Sequence, residues 1–263
     1  LLITGIIARM KPKQQIHYAF LFTNACMLHW STVRLIQKIL YDAWGVFYPS
    51  LEHFMYIGIC LLPVFVLMIG VVFAKTHIRW NWKHFLVLII PMVSIIVALT
   101  DTANRLFIVK YSFVSTEFVY GPYYPIHEFY SYGCILVGFF FLLSFSIKNS
   151  GFFSKQSLLI TVGMAVPLVV VVVSTQKIVA MQIFYENISF SINMLFFAFA
   201  IFKFQLMNVV PIALQKIVDL ISDSYIVVNK EQEIIDFNQT FRKTFGDMVK
   251  IRRKTPLIRM FDS

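Results

Sequence analysis

Four ionisable residues are spaced so that they can act together: Asp101, Arg105, His127 and Glu128. Asp101 and Arg105 are four apart, so a helix places the carboxylate and the guanidinium on one face, where they can pair. His127 and Glu128 adjoin at the start of a later apolar run, where a carboxylate also suits the positive end of the helix dipole. An acid, a base and an imidazole at neighbouring helix ends describe a pocket for a small-molecule or peptide signal. The plainer alternative is ordinary charge chemistry at helix ends. A fifth residue, Arg34, shares a helical face with Lys38. Both can snorkel to an interface, or present positive charge to Asp42, Glu52 or an anionic ligand.

Catalysis is not legible in the chain. No GxxxxGK[ST], GxSxG or HExxH pattern occurs, and the residues suggest no catalytic or metal-binding group. All 6 histidines precede Leu206, so no phospho-accepting His follows it. The three cysteines, Cys26, Cys60 and Cys134, lie inside apolar runs without CxxC spacing and read as small buried residues.

The elements that position these groups follow from composition. The 263 residues are 59% hydrophobic and 14% charged, with a mean hydropathy of +0.74. A soluble domain carries about 25% charged residues. The apolar excess comes as repeated long runs, which makes the chain an all-α polytopic membrane bundle. Runs expected to span are His17–Leu40, Leu51–Ala74, His84–Leu99, Ile126–Ile147, Gln156–Thr175 and Asn187–Leu206. Leu1–Ala8 is too short to span and reads as a truncated first helix or a tail; as a helix it gives seven in a complete protein, of which this sequence is expected to be a fragment. In the run Gln156–Thr175, Pro167 with Gly163 marks an expected kink. Asn24 and His29, and the group Asn187, Ser189, Ser191 and Asn193, are expected to hydrogen-bond between helices.

The connections sort by charge. One set is wholly basic: Arg9, Lys11 and Lys13; Lys75, Arg79 and Lys83; Lys148 and Lys155; Lys203 and the tail. The other mixes signs: Lys38, Asp42 and Glu52; Asp101, Arg105, Lys110 and Glu117; Lys177 and Glu186. The sets alternate along the chain, so the basic set is expected in the cytoplasm, with the C-terminus. The net charge of +10 thereby reflects membrane topology and implies no nucleic-acid partner. The longest mixed connection contains IVKYSFVSTEFVYG, which can form a β-hairpin. Its Tyr120, Tyr123 and Tyr124 can instead form an interfacial aromatic belt or pack.

Past Leu206 the pattern changes. Residues 1–206 form the expected membrane bundle, 207–222 a linker and 223–263 an incomplete α+β segment. Pro211 suits the first position of a helix, and Leu214, Ile217 and Ile221 form a short apolar seam, for a partner helix or for the following segment. Strand Tyr225–Asn229, a turn, strand Glu233–Phe237 and helix Asn238–Phe245 follow.

The stretch Ile217–Gly246, IVDLISDSYIVVNKEQEIIDFNQTFRKTFG, resembles the opening of a PAS domain, with Asp223 ending a helix and Asn238 opening the next. The chain before it resembles the N-terminal seven-helix sensor region of bacterial membrane histidine kinases. That likeness rests on GPYYPIHEFYSYG (Gly121–Gly133), Gln156, Pro167 and the Pro211-led helix. Where such regions often show Thr-Asn and then His, this chain has Thr100-Asp101 and then Asn104-Arg105. The resemblance implies a multi-pass sensor in the bacterial plasma membrane. Its last helix would pass a signal through Pro167, Pro211, Leu214, Ile217, Ile221, Asp223 and Asn238. It also implies a parallel homodimer in the lipid bilayer and a response regulator served by an output domain outside this sequence. ATP and Mg would belong to that domain, and no cofactor to this chain. A transporter or channel, or the same sensor with a nucleotide cyclase output, are the rival readings.

Overall fold

The computed structural model describes residues 2–9, 15–75, 78, 81–148, 152–182, 184–203, 224–228, 232 and 234–245. The chain divides into two compact units, Leu1–Met207 and Asn208–Ser263.

The first unit is helical. Its elements are α1 (Leu2–Arg9), α2 (Gln15–Trp44), α3 (Pro49–Lys75), a 3-10 turn (Trp82–Leu88) running into α4 (Ile89–Leu99), and the short α5 (Asp101–Asn104). After a β-hairpin come α6 (Tyr124–Lys148), α7 (Phe152–Thr175) and α8 (Phe184–Lys203). Among the described residues, four helical segments are long and apolar enough to cross a membrane: Pro49–Lys75, Trp82–Leu99, Tyr124–Ile147 and Ser157–Thr175. The helix α2, also expected to span, falls outside that set. Polar Asn24, His29 and Arg34 dilute it.

In α2, Ala19, Phe20, Thr23, Met27, Trp30, Arg34 and Gln37 are buried at a spacing of three or four, so one stripe faces the bundle. The helix α3 is apolar nearly all round, and it packs on α2, α4 and α6 as the central element. Where α3 crosses α6 there is no room for side chains. A Cβ added at Gly70 would lie 2.3 Å from the carbonyl oxygen of Gly138. Two glycines let the backbones touch, as small residues do in membrane helix pairs. The helices α7 and α8 approach similarly at Gly163, where a Cβ would meet Phe196 Cβ at 2.6 Å. The glycine beside Pro167 therefore serves the α7–α8 contact.

The connections meet in the way their charges sort. The hairpin pairs β1 (Ile108–Lys110) with β2 (Val119–Tyr120), Ile108 opposite Tyr120 and Lys110 opposite Val119. Its tip is tied to the α7–α8 connection: the Ser115 N–H donates to Met181 O at 2.9 Å, and Ser115 Oγ donates to Val179 O at 3.2 Å. Phe113 stacks with Phe184, and Phe47 from the α2–α3 connection packs on Tyr111 and Phe113. All three mixed-sign connections thus gather at one end, called the hairpin end below. The tyrosines of this loop pack rather than form a belt: Tyr124 is buried, Tyr120 and Tyr123 are half-buried, and Tyr120 stacks on Tyr124 with centroids 3.7 Å apart. At the other end Gln15 exchanges two 2.7 Å hydrogen bonds with the backbone of Ile78.

In the second unit, β3 (Ile226–Val228) pairs antiparallel with β4 (Ile234–Phe237) and α9 (Gln239–Phe245) follows. Ile234 and Phe241 form its small core. Asn238 Oδ1 accepts the Phe241 N–H at 2.9 Å, capping α9, and the Tyr225 N–H at 3.2 Å. Pro211, Leu214, Ile217, Ile221 and Asp223 lie outside the described residues.

Candidate functional site

The sequence pairs Asp101 with Arg105, but the structure separates them. The backbone of Arg105 turns left-handed, with φ 50°, as its N–H closes α5 onto Asp101 O at 2.8 Å. That reversal carries the guanidinium to the surface, where Arg105 forms no ion pair among the described residues. The Asp101 carboxylate, 0% exposed, turns inward and accepts the N–H groups of Phe107 at 2.6 Å and Ile108 at 2.9 Å. Two backbone donors fix it as the anchor of the hairpin. His53 from α3 lies 3.8 Å from Asp101 and hydrogen-bonds the Tyr111 hydroxyl at 2.5 Å. Burial, helped by the nearby Asp101 and Glu52 charges, pushes the Tyr111 phenol up to about 12.

Arg34 does not snorkel. It is 3% exposed, and its NH1 and NH2 donate to the two carboxylate oxygens of Glu52, 1% exposed, at 2.8 and 3.0 Å. A guanidinium placed one face inward on α2 meets a carboxylate in the first turn of α3. The fork geometry satisfies both charges where solvent does not reach. Lys38 does stay near the surface and pairs with Asp42, four residues along α2.

This ion pair lines a pocket of about 40 Å³ with Glu186 at the start of α8. Glu186 is 5% exposed and makes no ion pair among the described residues. The remaining wall is largely aromatic: Trp30, Tyr56, Phe118, Tyr120 and Tyr124.

Trp30, Ile59, Tyr124 and Val171 also line a second cavity, of about 90 Å³, deeper in the bundle. It lies between α2, α3, α6, α7 and α8, and both helix-interior prolines, Pro63 and Pro167, face it. Its walls are mostly apolar, yet His127 Nδ1, Ser131 Oγ, Asn193 Oδ1 and Trp30 Nε1 are buried there without partners. Unsatisfied polar atoms in an apolar wall are costly unless a guest or water completes them. Glu128 reaches the same cavity at its rim, where its Oε1 accepts from Gln176 Nε2 at 2.8 Å. From there an apolar groove of about 380 Å³ opens between α6 and α7, sharing Glu128, Tyr132 and Leu168 with the cavity.

Of the residues singled out by sequence, Arg34, His127, Glu128 and Pro167 therefore gather around two adjoining cavities. Asp101 and Arg105 do not. Asn24, expected to bond across helices, is buried without a partner, while His29 does reach across, to Phe54 O at 3.0 Å. Ser189 and Ser191 bond back within their own helix, to Glu186 O and Asn187 O, and Asn193 reaches Met27 Sδ at 3.9 Å. Sequence reasoning missed Glu186 and Trp30. Glu186 stands next to a long apolar run and reads there as a connection charge; a carboxylate so close to lipid is the signal that marks it.

Buried charge at one end of an apolar helix bundle, above a cavity with incomplete hydrogen bonding, marks a helical membrane protein with an internal cavity. The chain belongs to the family described as the N-terminal 7TM region of histidine kinase, which its residues 1–211 match. No curated protein and no solved structure matches the chain.

Proposed function

We propose that this chain receives a signal for a two-component histidine kinase of the bacterial plasma membrane. The hairpin end faces outward and the C-terminal unit faces the cytoplasm. A small-molecule or peptide signal, external or membrane-borne, occupies the cavities at the hairpin end. The change passes down α8 through residues 207–222 to a PAS-type segment at 223–263, and on to an output domain and its response regulator. The working unit is a parallel homodimer.

One observation carries this reading. Glu186, in the wall of the polar pocket, sits in the first turn of the helix that leads toward the second unit. From Glu186 to Lys203 a helix rises roughly 26 Å at 1.5 Å per residue. A ligand that moves Glu186 therefore moves a stiff rod that crosses most of a bilayer. The coupling needs two states of α8 to which the ligand binds unequally.

The test compares two variants of the full-length kinase. Ser131→Phe fills the inner cavity; Arg105→Ala removes an exposed charge outside it. Ser131→Phe should abolish the dose response without lowering abundance, and Arg105→Ala should leave the response intact. A normal dose response in Ser131→Phe refutes the reading.

A further inference from the structure

The pocket at Glu186 has a definite electrostatic sense. Among the described residues Arg34 supplies the only cation in its wall, and both terminal nitrogens of that guanidinium are committed to Glu52, which leaves its Nε as the one donor without a partner. Pair and pocket together hold two carboxylates against one guanidinium, and Glu186 is the carboxylate left over. An anionic guest would meet this surplus negative charge. A neutral guest would leave Glu186 uncompensated among groups that solvent barely reaches.

The aromatic wall has the same preference. Five aromatic rings, Trp30, Tyr56, Phe118, Tyr120 and Tyr124, line the pocket, and a cation within about 6 Å of a ring's face is attracted to it. Tyr120 and Tyr124 are held as a stacked pair, with centroids 3.7 Å apart and planes 16° apart. Below lies the apolar cavity of about 90 Å³, reached past Trp30 and Tyr124. Any guest's polar end and apolar body therefore have separate, adjoining compartments.

The geometry points to a lipophilic ammonium as the ligand: a charged amine head on Glu186 inside the aromatic wall, with an apolar body in the cavity below. This rests on the receiving role proposed above and names its ligand class. The ammonium donates hydrogen bonds to Glu186, and no covalent step is involved. The groove between α6 and α7 gives such an amphiphile a way in from the hydrocarbon side.

The test uses the chain in phosphatidylcholine nanodiscs, with tryptophan fluorescence as the readout because Trp30 lines both compartments. Phenethylammonium, phenethyl alcohol and phenylpropionate share a body and differ in the head. Phenethylammonium should bind saturably and about tenfold or more tighter than the alcohol, with phenylpropionate weakest, as a charge pair in a desolvated aromatic site requires. Trp30→Phe should remove the signal. Glu186→Gln should bring the ammonium to the affinity of the alcohol. Tyr120→Leu should weaken the ammonium more than the alcohol, which guards against a folding defect in Glu186→Gln. Equal binding of ammonium and alcohol by the unsubstituted chain overturns the assignment. If the ammonium fails to bind while Ser131→Phe still abolishes signalling, the ligand class falls and the receiving role stands. If it binds as expected while Ser131→Phe signals normally, the receiving role falls and the ammonium site stands.

Discussion

Arg34 and Glu52 lock α2 to α3 through two parallel hydrogen bonds of 2.8 and 3.0 Å, with both groups almost wholly buried. A buried pair is weak in net stabilisation but severe when broken, because one charge is left without a partner. Arg34→Met or Glu52→Leu alone should each cost about 3–5 kcal/mol, and the double substitution should recover most of that loss. Thermal unfolding in detergent measures the cycle. Additive losses would show that the two side chains do not act as a pair.

Asp101 anchors the hairpin by accepting two backbone N–H groups. Asp101→Asn keeps the shape but removes the charge and puts an amide donor in place of one acceptor oxygen. It should cost about 1–3 kcal/mol and raise proteolysis between Ile108 and Tyr120. Arg105→Ala should change neither. Equal protease sensitivity of the two variants would contradict the anchoring role.

The Gly70–Gly138 crossing leaves no space for a methyl group on α3. Gly70→Ala should destabilise by about 1–3 kcal/mol through forced separation of the helices. Gly138→Ala should cost less, since its nearest neighbour is 3.1 Å from the added Cβ. Melting temperatures rank the two, and the reverse order would contradict the packing described.

Sidedness is accessible to cysteine labelling, because the native Cys26, Cys60 and Cys134 are all buried. Ser115, in the middle of the hairpin connection, is also buried, so its exposed neighbour Thr116 is the better probe. Ser50→Cys and Thr116→Cys should label from outside intact cells, and Asn81→Cys only after permeabilisation. The opposite pattern would invert the topology.

The helices were legible because long apolar runs admit few alternatives in a bilayer, and the polar connections set their ends to within a few residues. Charge alternation grouped the connections that the structure gathers at the hairpin end. The hairpin itself was one of two readings, since Ile108–Lys110 and Val119–Tyr120 are short strands and their tyrosines suit a membrane interface equally. Pairings across the chain were less legible. Arg34 and Glu52 are 18 residues apart on different helices, and nothing local distinguishes that partner from Asp42. Asp101 and Arg105 showed the converse error. Their i, i+4 spacing pairs them only if the helix continues, and it ends at Asn104. The unpartnered atoms of His127, Ser131 and Asn193 depend on how three-dimensional packing leaves a void, which no residue pattern encodes.

The hairpin end also dictates an order of assembly. Its ties join residues far apart in the chain: His53 to Tyr111 over 58 positions, and Ser115 to Met181 over 66. Such contacts cannot form before the intervening helices are in place, since the loop-closure cost precedes the reward. As the chain inserts, β1 and β2 can pair early, but their tip has no anchor until α7 has crossed and the chain has returned to the same end. The cap over the two cavities is thus a late event in biogenesis, and its closure marks a bundle whose helices up to α7 have been inserted.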